Sequence, residues 1–134
     1  MTTPLYRVLA VHVKTRLKSL RDFQSTGRDD GEFNRHSNAI DKIINSSPCV
    51  SAEFAIDIRY DLSHADKIVF EVAYNHADPN SDPPESPDWT EHIVTVRPSL
   101  IDGFNLRVAG FNRNGVRQTI ERCFDRWMRQ EVSE

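Results

Sequence analysis

The clearest pattern in the chain is an alternation of apolar and polar side chains along residues 50–60, VSAEFAIDIRY, in which Ala55 is the one apolar residue on the polar side. Successive side chains point to opposite faces of a strand, so Phe54 and Ile58 share one face while Glu53 and Asp57 share the other. Parallel sheets are covered on both faces and read as continuous apolar runs. The alternation therefore predicts an antiparallel sheet with one buried face and one open face.

Three further segments predict strands of the same sheet. Residues 67–75 follow a short polar turn at 61–66 and complete a hairpin, while residues 92–97 and 104–109 also alternate. Residues 76–91 separate the second and third strands. They contain four prolines, which remove backbone donors, and this predicts an irregular loop.

Three segments have the apolar spacing of amphipathic helices. The first begins with Thr3 as N-cap and Pro4 at the first helical position, and Gly27 ends it. An alternative strand at residues 6–13 fits only part of this stretch. The second helix begins after Asp29 or Asp30 and ends before Pro48. The third follows residues 112–114 and carries a wide apolar stripe: Val116, Ile120, Cys123, Phe124, Trp127 and Met128.

The order of elements is ααββββα, and a length of 134 residues fits a single domain, 1–134. Each helix has one apolar stripe to bury, and the sheet has one apolar face. These requirements predict an α+β two-layer sandwich, in which a four-stranded antiparallel sheet carries three helices on one face.

Charge is distributed unevenly around a net value of −3. Residues 1–28 hold six basic residues against one acid, residues 29–96 hold fourteen acids against four bases, and residues 97–134 hold seven arginines against five acids. One interpretation is internal complementarity between basic terminal segments and an acidic middle. The other is a pair of surfaces of opposite sign that steer charged partners.

The expected location of the protein and the redox state of its cysteines follow from the absence of an apolar membrane segment and of a signal-peptide pattern. No apolar run approaches the roughly 20 residues of a membrane span, and the first residues do not resemble a signal peptide. We therefore expect a cytoplasmic protein with no membrane partner. In a reducing compartment, Cys49 and Cys123 are expected to be buried free thiols.

No catalytic motif is present, and we predict neither enzymatic activity nor a cofactor. Two His-Ala-Asp tripeptides begin at His64 and His76, but they lie at opposite ends of one predicted strand and cannot share a metal. A metal-dependent hydrolase built on Asp57, Asp61 and His64 is the weaker alternative. Arg59 lies on the same face two residues from Asp57, and a cross-strand ion pair explains those charges more simply.

A nucleic-acid-binding accessory protein is the stronger alternative to a protein-binding module. Its basic residues would form a phosphate-contacting strip on the first and last helices. The residues of this set are Lys14, Arg16, Lys18, Arg21, Arg122, Arg126 and Arg129.

The feature that most favours a function is the acidic, Pro-rich loop at 76–91. Long irregular loops in compact domains are often functional, prolines reduce the entropy lost on binding, and tryptophan is frequent at binding hot spots. The other interpretation is a passive insertion whose tryptophan packs into the core. The predicted partner-binding residues, from the loop and the open sheet face, are Asp78, Asp82, Glu85, Asp88, Trp89, Glu91, Glu53, Asp57 and Glu71.

These residues predict a small, non-enzymatic protein-binding module that occludes a basic surface of a partner protein. Small size, acidic loop and absence of catalytic motifs are typical of phage and mobile-element inhibitors or accessory factors, which is our hypothesis for its type. A homodimer is a further hypothesis, since Trp127 and Met128 could exceed what one core covers.

Overall fold

The computed structural model describes residues 2–28, 31–48, 53–64, 66–99 and 103–133. Its elements confirm the predicted α+β class and the order ααββββα. In chain order they are β1 (Thr2–Pro4), α1 (Leu5–Thr26), α2 (Glu32–Asn45), β2 (Phe54–Ile58), β3 (Ile68–Asn75), β4 (Trp89–Ser99), β5 (Gly103–Ala109), a 3₁₀ turn (Arg113–Gly115), α3 (Val116–Arg129) and β6 (Glu131–Ser133).

The four central strands form one antiparallel sheet in the order β2-β3-β4-β5. Helices α1 and α3 pack on its apolar face, and α2 packs mainly against α1. The core lies between these layers. Phe70 of β3 meets Phe124 and Trp127 of α3, with ring centroids 5.1 and 5.6 Å apart, and all three side chains are at most 1% exposed.

The helix ends differ in detail from the predictions. Helix α1 ends at Gly27 as predicted, in the left-handed conformation with φ +72°. It begins one residue later than predicted, because Pro4 is the N-cap and belongs to β1. Helix α2 is capped by Gly31, while Asp29 and Asp30 lie outside the described residues. Among the described helices, none is long and apolar enough to cross a membrane.

The strand bounds were predicted least well at β4. It begins at Trp89 rather than His92, because Trp89, Thr90 and Glu91 pair with the last three residues of β3. It also continues through Pro98, which pairs with Phe104 of the edge strand β5. The short β1 and β6 were not predicted, since three residues are too few to show a period.

Cys123 corrects the expectation of free thiols. It is disulfide-bonded, and it is partly buried against the core. Cys49 is the one other cysteine in the sequence and lies outside the described residues. The free-thiol prediction is therefore wrong for Cys123.

Candidate partner-binding surface

The strand register defines rows of side chains across the open face of the sheet. Every second residue of each strand faces away from the helices, and residues paired across strands share a row. From the end nearest the 76–88 loop, the rows are Asn75–Trp89, then Ala55–Ala73–Glu91, Asp57–Glu71–Ile93–Ala109, Val69–Thr95–Arg107, and Arg97–Asn105.

Two carboxylates lie directly opposite each other in the middle of this face. Asp57 of β2 pairs with Glu71 of β3, and Asp57 is exposed while Glu71 is half-buried. Like charges at directly opposite positions destabilise a sheet. The repulsion between Asp57 and Glu71 is therefore an electrostatic cost, which the charge of nearby Arg59 offsets in part.

Arg59 forms its ion pair with Asp61 rather than across the strands. Hydrogen bonds to Asp61, and to a smaller extent the charge of Glu71, raise the pKa of Arg59. Its guanidinium donates to both carboxylate oxygens of Asp61, at 2.9 and 2.7 Å, and this contact lowers the pKa of Asp61. The Asp57 carboxylate instead accepts a hydrogen bond from the backbone N–H of Ile58, at 2.9 Å. Within the described part of the chain, no ion pair joins a basic group to Asp57 or Glu71.

The acidic loop is closed at its base by backbone contacts. The side-chain oxygen of Asn75 accepts hydrogen bonds from the N–H groups of Ala77 and Asp88, at 3.1 and 2.9 Å. The N–H of His76 donates to the carbonyl of Asp88, at 2.8 Å. Residues 76–88 are therefore held as one projecting unit above the end of the sheet.

Some loop acids have internal roles, while others point to solvent. Asp88 forms an ion pair with Arg113, at 2.7 Å, and Glu85 accepts a hydrogen bond from the N–H of Asp78, at 2.8 Å. Asp82 is exposed. Of the predicted loop residues, Asp88 and Glu85 therefore shape the loop as well as charging it.

Trp89 lies on the open face and is 46% exposed. As the first residue of β4 it shares that face with Glu91 and Ile93, because alternate residues point the same way. The interpretation that places this side chain in the core is wrong. The Glu91 row lies between Trp89 and the Asp57–Glu71 pair, so the tryptophan and the pair share a face without being neighbours. An exposed tryptophan on a charged face is typical of a binding hot spot.

A chain of three polar side chains, missed in the sequence, ties the loop to the core. The Thr90 hydroxyl lies 2.8 Å from Nε2 of His76 and 2.9 Å from Nε2 of His92. His92 is 2% exposed, and this burial lowers its pKa. The sequence does contain a sign that His92 is buried, because His92 alternates in step with the apolar residues Val94 and Val96.

Arg16, one of the predicted nucleic-acid contacts, is engaged within the fold. Its guanidinium carbon lies 3.5 Å from the ring centroid of Tyr60 and 4.3 Å from that of Phe33, and its Nε donates to Ser37 at 2.9 Å. Arg129 similarly contacts Asp125 and the Phe104 ring.

The other basic residues of that set lie on two separate cavities or on exposed helix surface. Lys14 and Arg21 line a cavity of about 430 Å³ next to His64, and Arg122 and Arg126 line one of about 440 Å³ next to Phe54. Lys18 is exposed. A continuous phosphate-contacting strip across both helices therefore has no support in these contacts.

Asp57, Asp61 and His64, the residues of the hydrolase alternative, are not arranged as a metal site. Asp61 is occupied by Arg59, and Nδ1 of His64 accepts a hydrogen bond from the N–H of Asp66, at 3.2 Å. The described residues contain no group of three or more histidine, cysteine or carboxylate side chains placed to hold a metal.

A histidine pair joins the first two helices and predicts a pH effect. Nδ1 of His12 lies 2.8 Å from Nδ1 of His36, whose Nε2 lies 3.0 Å from the Glu32 carboxylate. Burial and the neighbouring His36 lower the pKa of His12 below 6.5.

Because the unfolded chain then binds a proton more readily than the folded chain, stability is expected to fall as the pH drops below 6.5. Melting temperatures measured between about pH 8 and about pH 5 should show a smaller decrease for His12→Gln than for the wild type. His92 contributes in the same direction and remains in both proteins. Parallel pH profiles would contradict the assignment to His12.

Comparisons with known proteins give no relative. No protein-family model matches the chain, and no match was found among curated proteins or among solved structures.

Proposed function

We propose that the protein is a non-enzymatic binding module whose acidic surface occludes a basic surface of a partner protein. The surface consists of the 76–88 loop, Trp89 and the carboxylates of the adjoining sheet face, Glu53, Asp57, Glu71 and Glu91. The observation that carries the proposal is that one sheet face presents both the directly opposed pair of Asp57 and Glu71 and, two rows away, an exposed tryptophan.

Electrostatics supports a basic partner. The Asp57–Glu71 pair is unfavourable in the free protein, and cationic side chains placed across it would relieve the repulsion. Trp89 would supply the apolar contact that distinguishes a specific interface from charge attraction alone. Because residues 76–88 are already closed at the base, less conformational entropy is lost on binding than with an unorganised loop.

A cytoplasmic location is the expectation from the sequence, and the disulfide of Cys123 argues against it. Disulfides persist in oxidising compartments and are rare in the cytosol of mesophiles. The proposed binding function is compatible with either compartment, because it depends on the charge and shape of the sheet face and the loop.

An affinity experiment tests the proposed function. The immobilised protein is incubated with host lysate, with and without nuclease, and compared with the triple variant Trp89→Ala, Asp57→Asn, Glu71→Gln. We expect a stoichiometric protein partner that survives nuclease. The purified partner should bind the variant at least about 30-fold more weakly, in line with the loss of a hot spot.

The matched control removes two carboxylates from the helical side of the molecule. Asp41→Asn with Glu121→Gln neutralises two exposed acids on α2 and α3, and it should bind like the wild type. Recovery of nucleic acid, or of proteins lost after nuclease treatment, would instead favour the basic helices. Equal loss of binding in the control variant would refute a site on the sheet face.

A further inference from the structure

We propose that the open sheet face also docks against a second copy of this chain, in a two-fold arrangement that places the acidic end of one face on the basic end of the other. This inference goes beyond the proposed function, since it depends on a basic set of residues that the proposed function does not use.

The charges of the open face are separated along the strand direction. The rows nearest the loop carry the acids Asp57, Glu71 and Glu91, and the rows at the far end carry Arg97 and Arg107. Lys67 precedes β3 at the same far end. Within the described part of the chain, no ion pair joins these acids to Arg97 or Arg107, although the Glu71 row and the Arg107 row are adjacent.

Short and weakly polar side chains lie among the charged ones on this face. Ala55, Ala73 and Ala109 have side chains too short to hinder a second sheet, and Ile93 and Thr95 are half-buried. Sheets pack face to face at about 10 Å when their side chains permit close approach. These positions therefore leave room for a second sheet between the charged side chains.

The charge pattern selects one of two possible symmetry axes. Faces can be opposed by a two-fold axis parallel to the strands, which would place acids on acids, or by one perpendicular to the strands, which reverses the strand direction. Only the second sets the acidic rows against the basic rows. On β4 this axis passes near Val94, midway between Glu91 and Arg97, so each copy contributes one Glu91 and one Arg97 to two equivalent ion pairs.

The size of the face indicates the expected affinity. Four strands spaced by about 4.8 Å, with five rows spaced by roughly 6.7 Å, give a flat area of about 500 Å² per copy. This is below the ~800 Å² per partner of a standard interface. We therefore expect reversible, salt-sensitive self-association in the micromolar range.

Sedimentation equilibrium at low salt, from low micromolar to several hundred micromolar protein, tests the inference with two charge-reversed variants. The first is Arg97→Glu with Arg107→Glu, and the second is Glu71→Lys with Glu91→Lys. Each variant alone should self-associate at least about tenfold more weakly than the wild type, since like charges then face each other. An equimolar mixture of the two should recover association as a heterodimer.

The matched control reverses two arginines away from the sheet face. Arg122→Glu with Arg126→Glu, at exposed positions on α3, should associate like the wild type. A wild-type protein that stays monomeric throughout the range would overturn the inference. So would a mixture of the two reversed variants that fails to associate, or reversed variants that dimerise as well as the wild type.

The two proposals fail separately. The Arg97 and Arg107 variant retains the acidic surface and the loop, so it should still bind a basic partner protein. If this variant binds the partner and the wild type stays monomeric in sedimentation, only the dimer inference is refuted. A wild-type protein that dimerises but recovers no protein partner from lysate removes only the proposed function.

Discussion

Replacing Trp127 with alanine is expected to lower the free energy of unfolding by about 3–5 kcal/mol, the range measured for removal of a buried large aromatic side chain. Trp127 is 1% exposed, and its ring centroid lies 5.2 Å from that of Phe124 and 5.6 Å from that of Phe70. The substitution removes both aromatic contacts and leaves a cavity where α3 meets the sheet. Urea denaturation monitored by circular dichroism gives the change directly.

Trp89 provides a control of the same residue type. It is 46% exposed, so Trp89→Ala should change the free energy of unfolding by less than about 1 kcal/mol. The same substitution should nevertheless weaken partner binding. Equal destabilisation by the two tryptophan variants would contradict the assignment of Trp127 to the core and of Trp89 to the binding surface.

Gly110→Ala is expected to cost about 3–4 kcal/mol, from a clash and a strained backbone acting together. Gly110 has φ +120°, a backbone conformation that residues other than glycine rarely adopt. A Cβ at this position would lie 2.5 Å from Nδ1 of His92 and 2.9 Å from the carbonyl oxygen of Glu91. Moving His92 would also break its contact with Thr90, and with it the link from Thr90 to His76 and the loop.

Gly115 separates the two contributions, because it has a positive φ without a clash. Its φ is +73°, and the nearest atom to an added Cβ is Oε1 of Gln118 at 3.8 Å. Gly115→Ala should therefore cost only about 1–2 kcal/mol, the strain of the left-handed conformation. Chemical denaturation of both variants measures the difference, and similar losses would show that the close approach to His92 is unimportant.

The fold was predictable from the sequence because its large elements repeat their pattern many times. Alternation in β2 and β3 and the long apolar stripe of α3 each rest on several residues, so the faces of these elements follow from periodicity alone. Element ends rest on single residues. The alternation of residues 92–97 ends before Pro98, yet Pro98 continues β4 where that strand pairs with the edge strand β5. Phe23 of α1 is apolar but 48% exposed, since residues 21–26 at the end of this helix all lie on the surface.

The binding surface was predictable in outline and not in its internal contacts. Face alternation alone places Asp57 and Glu71 on one side, but the register that sets them directly opposite each other depends on pairing between strands. Arg59 pairs with Asp61 only two residues along the chain, whereas the ion pair of Asp88 with Arg113 and the contact of His76 with Thr90 depend on tertiary distances. A local pattern contains no such distances.

The pairing of β1 with β6 has a mechanical consequence. Thr2 lies opposite Ser133, and Pro4 lies opposite Glu131, so the two short strands run antiparallel with Thr2 and Ser133 at the same edge. A force that pulls Thr2 and Ser133 apart acts perpendicular to the strands and breaks the residue pairs one after another, beginning with Thr2–Ser133. The pairing of β1 with β6 would therefore break at low force. The tension would then act directly on α1 and α3.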